Sequence, residues 1–402
     1  MTLSTNIPRY GRPTQVQDRT KLAVGTIAGA ALGAWLGHRL HGFVQTERPA
    51  GMIDWDRART TALTMNRGHA LTAAERDHLN RYYGTLVTRC VPIVADYTRT
   101  DLPTQAERTY AFDRVDWINA NLEGFQRMFA PLEQLDQQRP NSSFASRLWG
   151  GVNQTVLSYE IGLLLGYLAR RVLGQYDLAL LGREPVSAGK LYYVEPNIRS
   201  IEHSLRLPKD DFRMWLALHE TTHAFEFEAY PWVRIYFNDL LSRYMEFMKE
   251  DAEQLKQGMR GLKVFVDRAR RRQGEPGSWM ETLMSPDQRA VFLDMQALMC
   301  VVEGYSNHVM NAVGRNLLQN YELISRKFEE RQRQRTAAEQ LFARLTGLDV
   351  KMEQYRAGEQ FIDEIVRLGG RDAMQRVWES PASVPTMDEI RDPSIWVARI
   401  QG

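Results

Sequence analysis

The chain has 402 residues, 44% hydrophobic and 25% charged, the composition of an ordinary globular protein. Lys+Arg 51 against Asp+Glu 49 gives a formal charge of +2, too small for a global field that would gather nucleic acid, so no nucleic-acid partner is expected. The two cysteines, Cys90 and Cys300, lie far apart in apolar sequence without C-x-x-C spacing. They read as buried thiols of a reducing compartment, with a mutual disulfide as the alternative.

In chain order, residues 1–20 are polar and read as disordered. Leu22 to Gly37 is apolar, with glycines at Gly25, Gly29, Gly33 and Gly37 that would line one face of a helix. Basic residues flank it on both sides. Its sixteen residues fall short of the ~20 that a membrane span needs. Two readings stay open for this segment: a packed or self-associating helix, or an anchored or interfacial membrane contact. Residues 1–50 are therefore expected to be an N-terminal extension. No Pro/Gly/Ser-rich linker divides the rest, so residues 51–395 are expected to form one domain. The expected location is the cytoplasm, with membrane association through the N-terminal helix as the alternative.

Helical periodicity runs through Leu71–Val87, Val115–Leu132, Val152–Leu173, Asp211–Glu228, Trp232–Leu255, Pro286–Leu318, Ser325–Thr346 and Met352–Leu368. Breakers separate most of these segments, such as Pro140-Asn141, Gly182–Pro185 and Gly274–Gly277. A mainly α fold follows. The best strand is Lys190 to Val194, rich in Tyr and Val and closed by Pro196. As an edge strand it could hold an extended substrate, which makes Tyr193 and Asn197 weak substrate-side candidates. A small structural hairpin is the alternative.

His219-Glu220-Thr221-Thr222-His223 reads H-E-x-x-H inside a segment free of Pro and Gly. Residues four apart share a helix face, so the two imidazoles can grip one tetrahedral zinc ion. Glu220 would then sit beside the metal, placed to take a proton from water. A catalytic zinc site wants a third protein ligand. An extended pattern with a third His at position 229 is ruled out, since Glu226 stands where its glycine would be and residue 229 is Ala. Glu226, one turn after His223, reads as an orienting group for a histidine or as a surface charge. Glu303 is the stronger candidate ligand, because it is a carboxylate inside the apolar helix Met295–Val313 and needs a partner; a salt-bridged core residue is the alternative. Asn307 could accept from the free N–H of a ligand histidine, and His308 is a weak candidate for the substrate side.

Several separate segments carry a family resemblance: Ile53-Asp54-Trp55, Asp113–Asn121 (DRVDWINAN), Leu165–Leu178, Leu191–Ile198, Leu216–Phe227 and Ala297–Met310. Through them the chain resembles a bacterial family of zincin-like metallopeptidases over roughly residues 53–390. The resemblance implies a mainly α zincin-like fold with a small β element before the H-E-x-x-H helix. It also implies a gluzincin-type zinc site at His219, His223 and Glu303, with Glu220 catalytic. The resemblance implies no known substrate, and a peptide or protein is expected from the chemistry of the motif; labels in the family also carry a loose association with biosynthesis of a deazaflavin cofactor. Two departures stand out. The first 50 residues look like an addition, and Asn307 occupies a place where many gluzincins have Asp. The expected activity is zinc-dependent peptide hydrolysis. The alternatives are a zinc-bearing scaffold without turnover and a membrane-associated binding protein. In Leu165–Leu178, Gly174 suits a helix C-terminus, and Gln175–Asp177 read as turning the chain back towards the strand.

Overall fold

In the computed structural model the described residues are 53–68, 70–102, 109–137, 154–176, 190–255, 264, 268, 281, 284–333 and 348–401. They belong to a single unit of the chain, residues 51–402. The segment Leu22–Gly37, the breakers named above and residues 334–347 lie outside them.

Helices dominate. In order they are α1 (Trp55–Met65), α2 (Ala73–Thr98), α3 (Arg114–Gln137), α4 (Gln154–Ala169), α5 (Glu195–Leu205), α6 (Lys209–Glu228), α7 (Pro231–Leu255), α8 (Pro286–Leu317), α9 (Tyr321–Arg333), α10 (Leu348–Arg376), α11 (Met387–Arg391) and α12 (Pro393–Gln401). Local chemistry fixes several starts. Thr72 with Glu75 closes a reciprocal cap on α2, and Ser285 with Gln288 does the same for α8, with Pro286 in the first turn where its missing N–H is harmless.

Among the described residues each predicted helix is present, the one expected over Ser325–Thr346 as far as Arg333, and four others join them. Pro196 does not merely end a strand. It opens α5, because proline is tolerated in a first turn. α1 is short and capped by Asp54, whose side chain accepts from the Arg57 N–H. α2 runs beyond Val87 and across Pro92, since Cys90 and Val94 on its later turns are buried in the core. α10 continues past Leu368, with a kink at Gly370 (φ 69°).

Three short strands form one sheet: β1 (Thr109–Phe112), β2 (Gly174–Tyr176) and β3 (Leu191–Val194). The order is β1-β3-β2, with β1 parallel and β2 antiparallel to β3. The strand read from Lys190 to Val194 is therefore β3, and it is central rather than an edge. Its four residues are all buried, as a strand paired on both sides and covered on both faces must be. The segment read as a helix end at Gly174 is instead the edge strand β2.

Two apolar clusters surround this sheet. The larger unites α2, α5, α6, α8 and α10 with the C-terminal helices, and the smaller joins α1, α3 and α4 to Val194. At the centre of the larger one, the buried Arg213 of α6 is held by Glu195 (2.8 Å) and by Glu202. The Tyr83 hydroxyl donates to Glu195 (2.6 Å), and its ring stacks on Tyr193 at 4.1 Å. Three helices and β3 are thus tied together just before the H-E-x-x-H turns of α6.

Candidate metal centre

α6 carries His219, Glu220, His223 and Glu226, and α8 carries Glu303 and Ser306. The packing of α8 on α6, tied by Ser306 to His223 and Glu226, brings Glu303 opposite the histidines, and α10 backs α8 closely on another face. A Cβ on Gly304 would fall 2.2 Å from the carbonyl carbon of Gly358 on α10, so the α8 and α10 backbones touch beside Glu303.

One ligand atom each from His219, His223 and Glu303 lie within 4.8 Å of one another. His219 Nε2 and His223 Nε2 are 3.2 Å apart, and Glu303 Oε2 is 3.9 Å from His219 Nε2. Nitrogens bound to a tetrahedral zinc at about 2.0–2.1 Å would sit about 3.3 Å from each other. The histidine pair already has that spacing, and the donor set suits zinc, so the residues present fit the ion. The side chains of His219 and Glu303 keep 18% and 26% exposure, which leaves the ligand atoms open to an incoming molecule on that side.

The other end of the site is closed. His223 Nδ1 lies 2.6 Å from Glu226 Oε2 and 3.0 Å from Ser306 Oγ. The Ser306 hydroxyl donates to Glu226 Oε1 at 2.9 Å. The Nδ1–H of His223 is therefore given to the Glu226 carboxylate, and Nε2 is left to face His219 and Glu303. Glu226 is fully buried, not a surface charge. It performs the orienting task expected of Asn307, and neither histidine is hydrogen-bonded to Asn307. A same-helix carboxylate one turn after His223 makes a carboxylate at position 307 unnecessary.

Burial and charge set the proton inventory without metal. Burial, then the neighbouring His223, pushes His219 well below the usual imidazole range. For His223 burial pushes down, but the Glu226 carboxylate outweighs it and raises the ring to about 9. Burial raises Glu220 to about 8, with Glu303 and Glu226 adding to the effect against His223. Without metal, His223 thus carries a proton on both nitrogens below about 9, with Nε2–H facing the lone pair of His219. A cation has to displace the Nε2 proton.

Glu220 is buried, and three atoms of its side chain lie against the edge strand at Gly174. Tyr193 is near enough that, after burial, the Glu220 charge helps hold its phenol well above the usual range. It is wholly buried and stacked on Tyr83, so it is part of the wall behind Glu220 and not a substrate contact. Asn197 is also a brace: it donates to the carbonyls of Ala169 and Val172 and accepts from Arg114. His308 points away from the cluster. Its Nε2 meets the Tyr97 hydroxyl (2.8 Å) and its Nδ1 meets Asp363 (2.6 Å), linking α8 to α2 and α10.

Reasoning from sequence missed Ser306 and the approach of Gly174. Both contacts join positions far apart in the chain, and neither residue type stands out in its segment. Among the described residues no helix is long and apolar enough to cross a membrane.

A family described as zincin-like metallopeptidase matches residues 53–397. A solved structure from Chloroflexus aurantiacus, described as a candidate hydrolase with a novel fold, is 40% identical. It aligns over 87% of this chain and 99% of its own, with a TM-score of 0.64. No curated protein matches the chain.

Proposed function

The chain belongs to the zincin-like metallopeptidase family, and we propose that it is a zinc-dependent hydrolase of peptide bonds, with one zinc per chain and peptides or proteins as substrates. The observation that supports this most is the convergence of His219 Nε2, His223 Nε2 and a Glu303 oxygen within 4.8 Å, next to a buried Glu220. A zinc ion in that cluster supplies Lewis acidity, which lowers the pKa of water and polarises a carbonyl.

The protein's own groups have separable roles in this reading. His219, His223 and Glu303 hold the ion. Glu226, assisted by Ser306, takes the Nδ1–H of His223 so that Nε2 is the nitrogen turned towards the ion. Glu220 accepts the proton of the attacking water and returns it to the leaving amine. Burial raises the Glu220 carboxylate when no metal is present, and a bound cation would push it back towards the ionised form from which a base must start. The low exposure around Glu220 keeps bulk water from competing for that proton.

Glu220→Gln tests the assignment. It keeps the shape and the three ligands but removes the base. Zinc content should stay at about one per chain while turnover of a quenched-fluorescent peptide mixture falls about 10²–10⁴-fold. Undiminished turnover in the zinc-loaded variant would remove Glu220 as the base. A wild type that holds zinc but cleaves nothing would favour the scaffold alternative.

A further inference from the structure

Two of the sequence segments singled out above, DRVDWINAN and the Gly174-Gln175 pair, contribute nothing to metal binding. The structure brings them together beside Glu220. A Cβ on Gly174 would fall 2.3 Å from Glu220 Oε1, 2.4 Å from Cδ and 2.6 Å from Cγ. The backbone of β2 therefore lies along the carboxylate arm of Glu220. Gly174 is not among the residues with positive φ, so its backbone conformation would accept any side chain. What excludes one is the Glu220 carboxylate itself. Among the described residues no hydrogen bond holds that carboxylate, which leaves packing to set its rotamer.

A three-residue strand cannot hold its own place, and β2 is anchored on both sides. Along one edge it pairs with β3, Gly174 opposite Tyr193. On the other side the buried Trp117 donates its ring N–H to Gln175 Oε1 at 2.7 Å. Gln175 in turn donates to Asn121 Oδ1 (3.4 Å), and the Asn121 amide donates to the Trp117 carbonyl (2.9 Å). Trp117 and Asn121 are the W and the final N of DRVDWINAN.

We propose that Gly174 and the Trp117–Gln175–Asn121 set that anchors its strand are positioning residues for the Glu220 carboxylate. This rests on Glu220 being the general base. Among the described residues no hydrogen bond joins the set to His219, His223 or Glu303, so it should act on turnover without acting on metal binding.

Gly174→Ala is the test, read by the crystal structure of the zinc-loaded protein, by zinc affinity, and by cleavage of the quenched-fluorescent peptide mixture. The Glu220 carboxylate should be displaced by about 1 Å or more, and kcat should fall about 10–100-fold, since misplacement on that scale has such an effect. Zinc affinity should stay within about threefold and KM within about twofold. A carboxylate that stays in place while β2 moves, or zinc affinity falling together with kcat, would overturn the proposal. Gln175→Met keeps the length of the side chain but removes the amide that Trp117 and Asn121 hold, and guards against a Gly174→Ala chain that does not fold. It should lower kcat about 3–10-fold at unchanged zinc affinity, the scale of one hydrogen bond, and an unchanged kcat would count against the anchor. If the wild type cleaves no peptide, the peptidase reading fails separately, and the position of Glu220 in the variant's crystal structure still decides this proposal.

Discussion

The two imidazoles of the H-E-x-x-H motif sit one turn apart on the same helix, yet their surroundings treat them oppositely. His223 is enclosed, bonded to Glu226 with Ser306 behind it, and pushed up to about 9. His219 shares the more open side with Glu303 and is pushed well below the usual range. One end of the site sets orientation and the other sets access. A metal arriving from the Glu303 side meets a lone pair already bare on His219 and a proton still to be expelled from His223.

The largest effect that could break this contrast is at Glu226. At pH 9, where about half of the wild-type rings have lost their proton, Glu226→Gln should bind zinc about 10–100-fold more weakly, read by competition with a chelating dye. The gap should narrow as pH falls, because the wild type must expel a proton that the variant, lacking the carboxylate, no longer holds. A gap that widens towards acid pH would contradict the assignment of the proton to His223.

The wild type on its own offers the next test. The folded-state pKa of His223 is raised, so the proton is present below about 9 and absent above it. Zinc affinity should therefore fall as pH drops below about 9, by up to about tenfold per unit for one displaced proton. Isothermal titration in buffers of different ionisation enthalpy counts that proton directly, and no proton release at pH 7 would break the account. The smallest effect is at Ser306. Ser306→Ala leaves the contact between Glu226 and His223 in place and should weaken zinc about 3–10-fold, the scale of one hydrogen bond that acts on the ion only through Glu226.

The same contrast separates what the sequence carries openly from what it hides. His219, Glu220 and His223 are legible because a helix turns four residues into one face. Glu303 is legible because a carboxylate in an apolar helix needs a partner. Glu226 was half legible: its spacing from His223 was visible, but only the α6–α8 packing shows it buried against Ser306. Position 307 misled for the same reason, since a preference for carboxylate there does not reveal that one is already supplied from the same helix as His223.

The sheet shows the limit of local reading most clearly. Lys190–Val194 was recognised as a strand, but strand order is decided by pairings with residues about 15 and 80 positions away, and local propensity says nothing about them. Locally β3 therefore looks like an edge, while the edge that lies beside Glu220, β2, looks like a helix end. Tyr193 and Asn197 consequently moved from the substrate side to the supporting wall. Pro196 misled in the opposite sense, since the same residue that closes a strand opens α5.

The most direct test of the central claim is elemental analysis of purified wild type and Glu303→Ala, side by side after incubation with zinc chloride and desalting. The account predicts about one zinc per wild-type chain and little in the variant, because the open end of the site would lose its only charged ligand. Equal zinc in both proteins would contradict the His219–His223–Glu303 assignment.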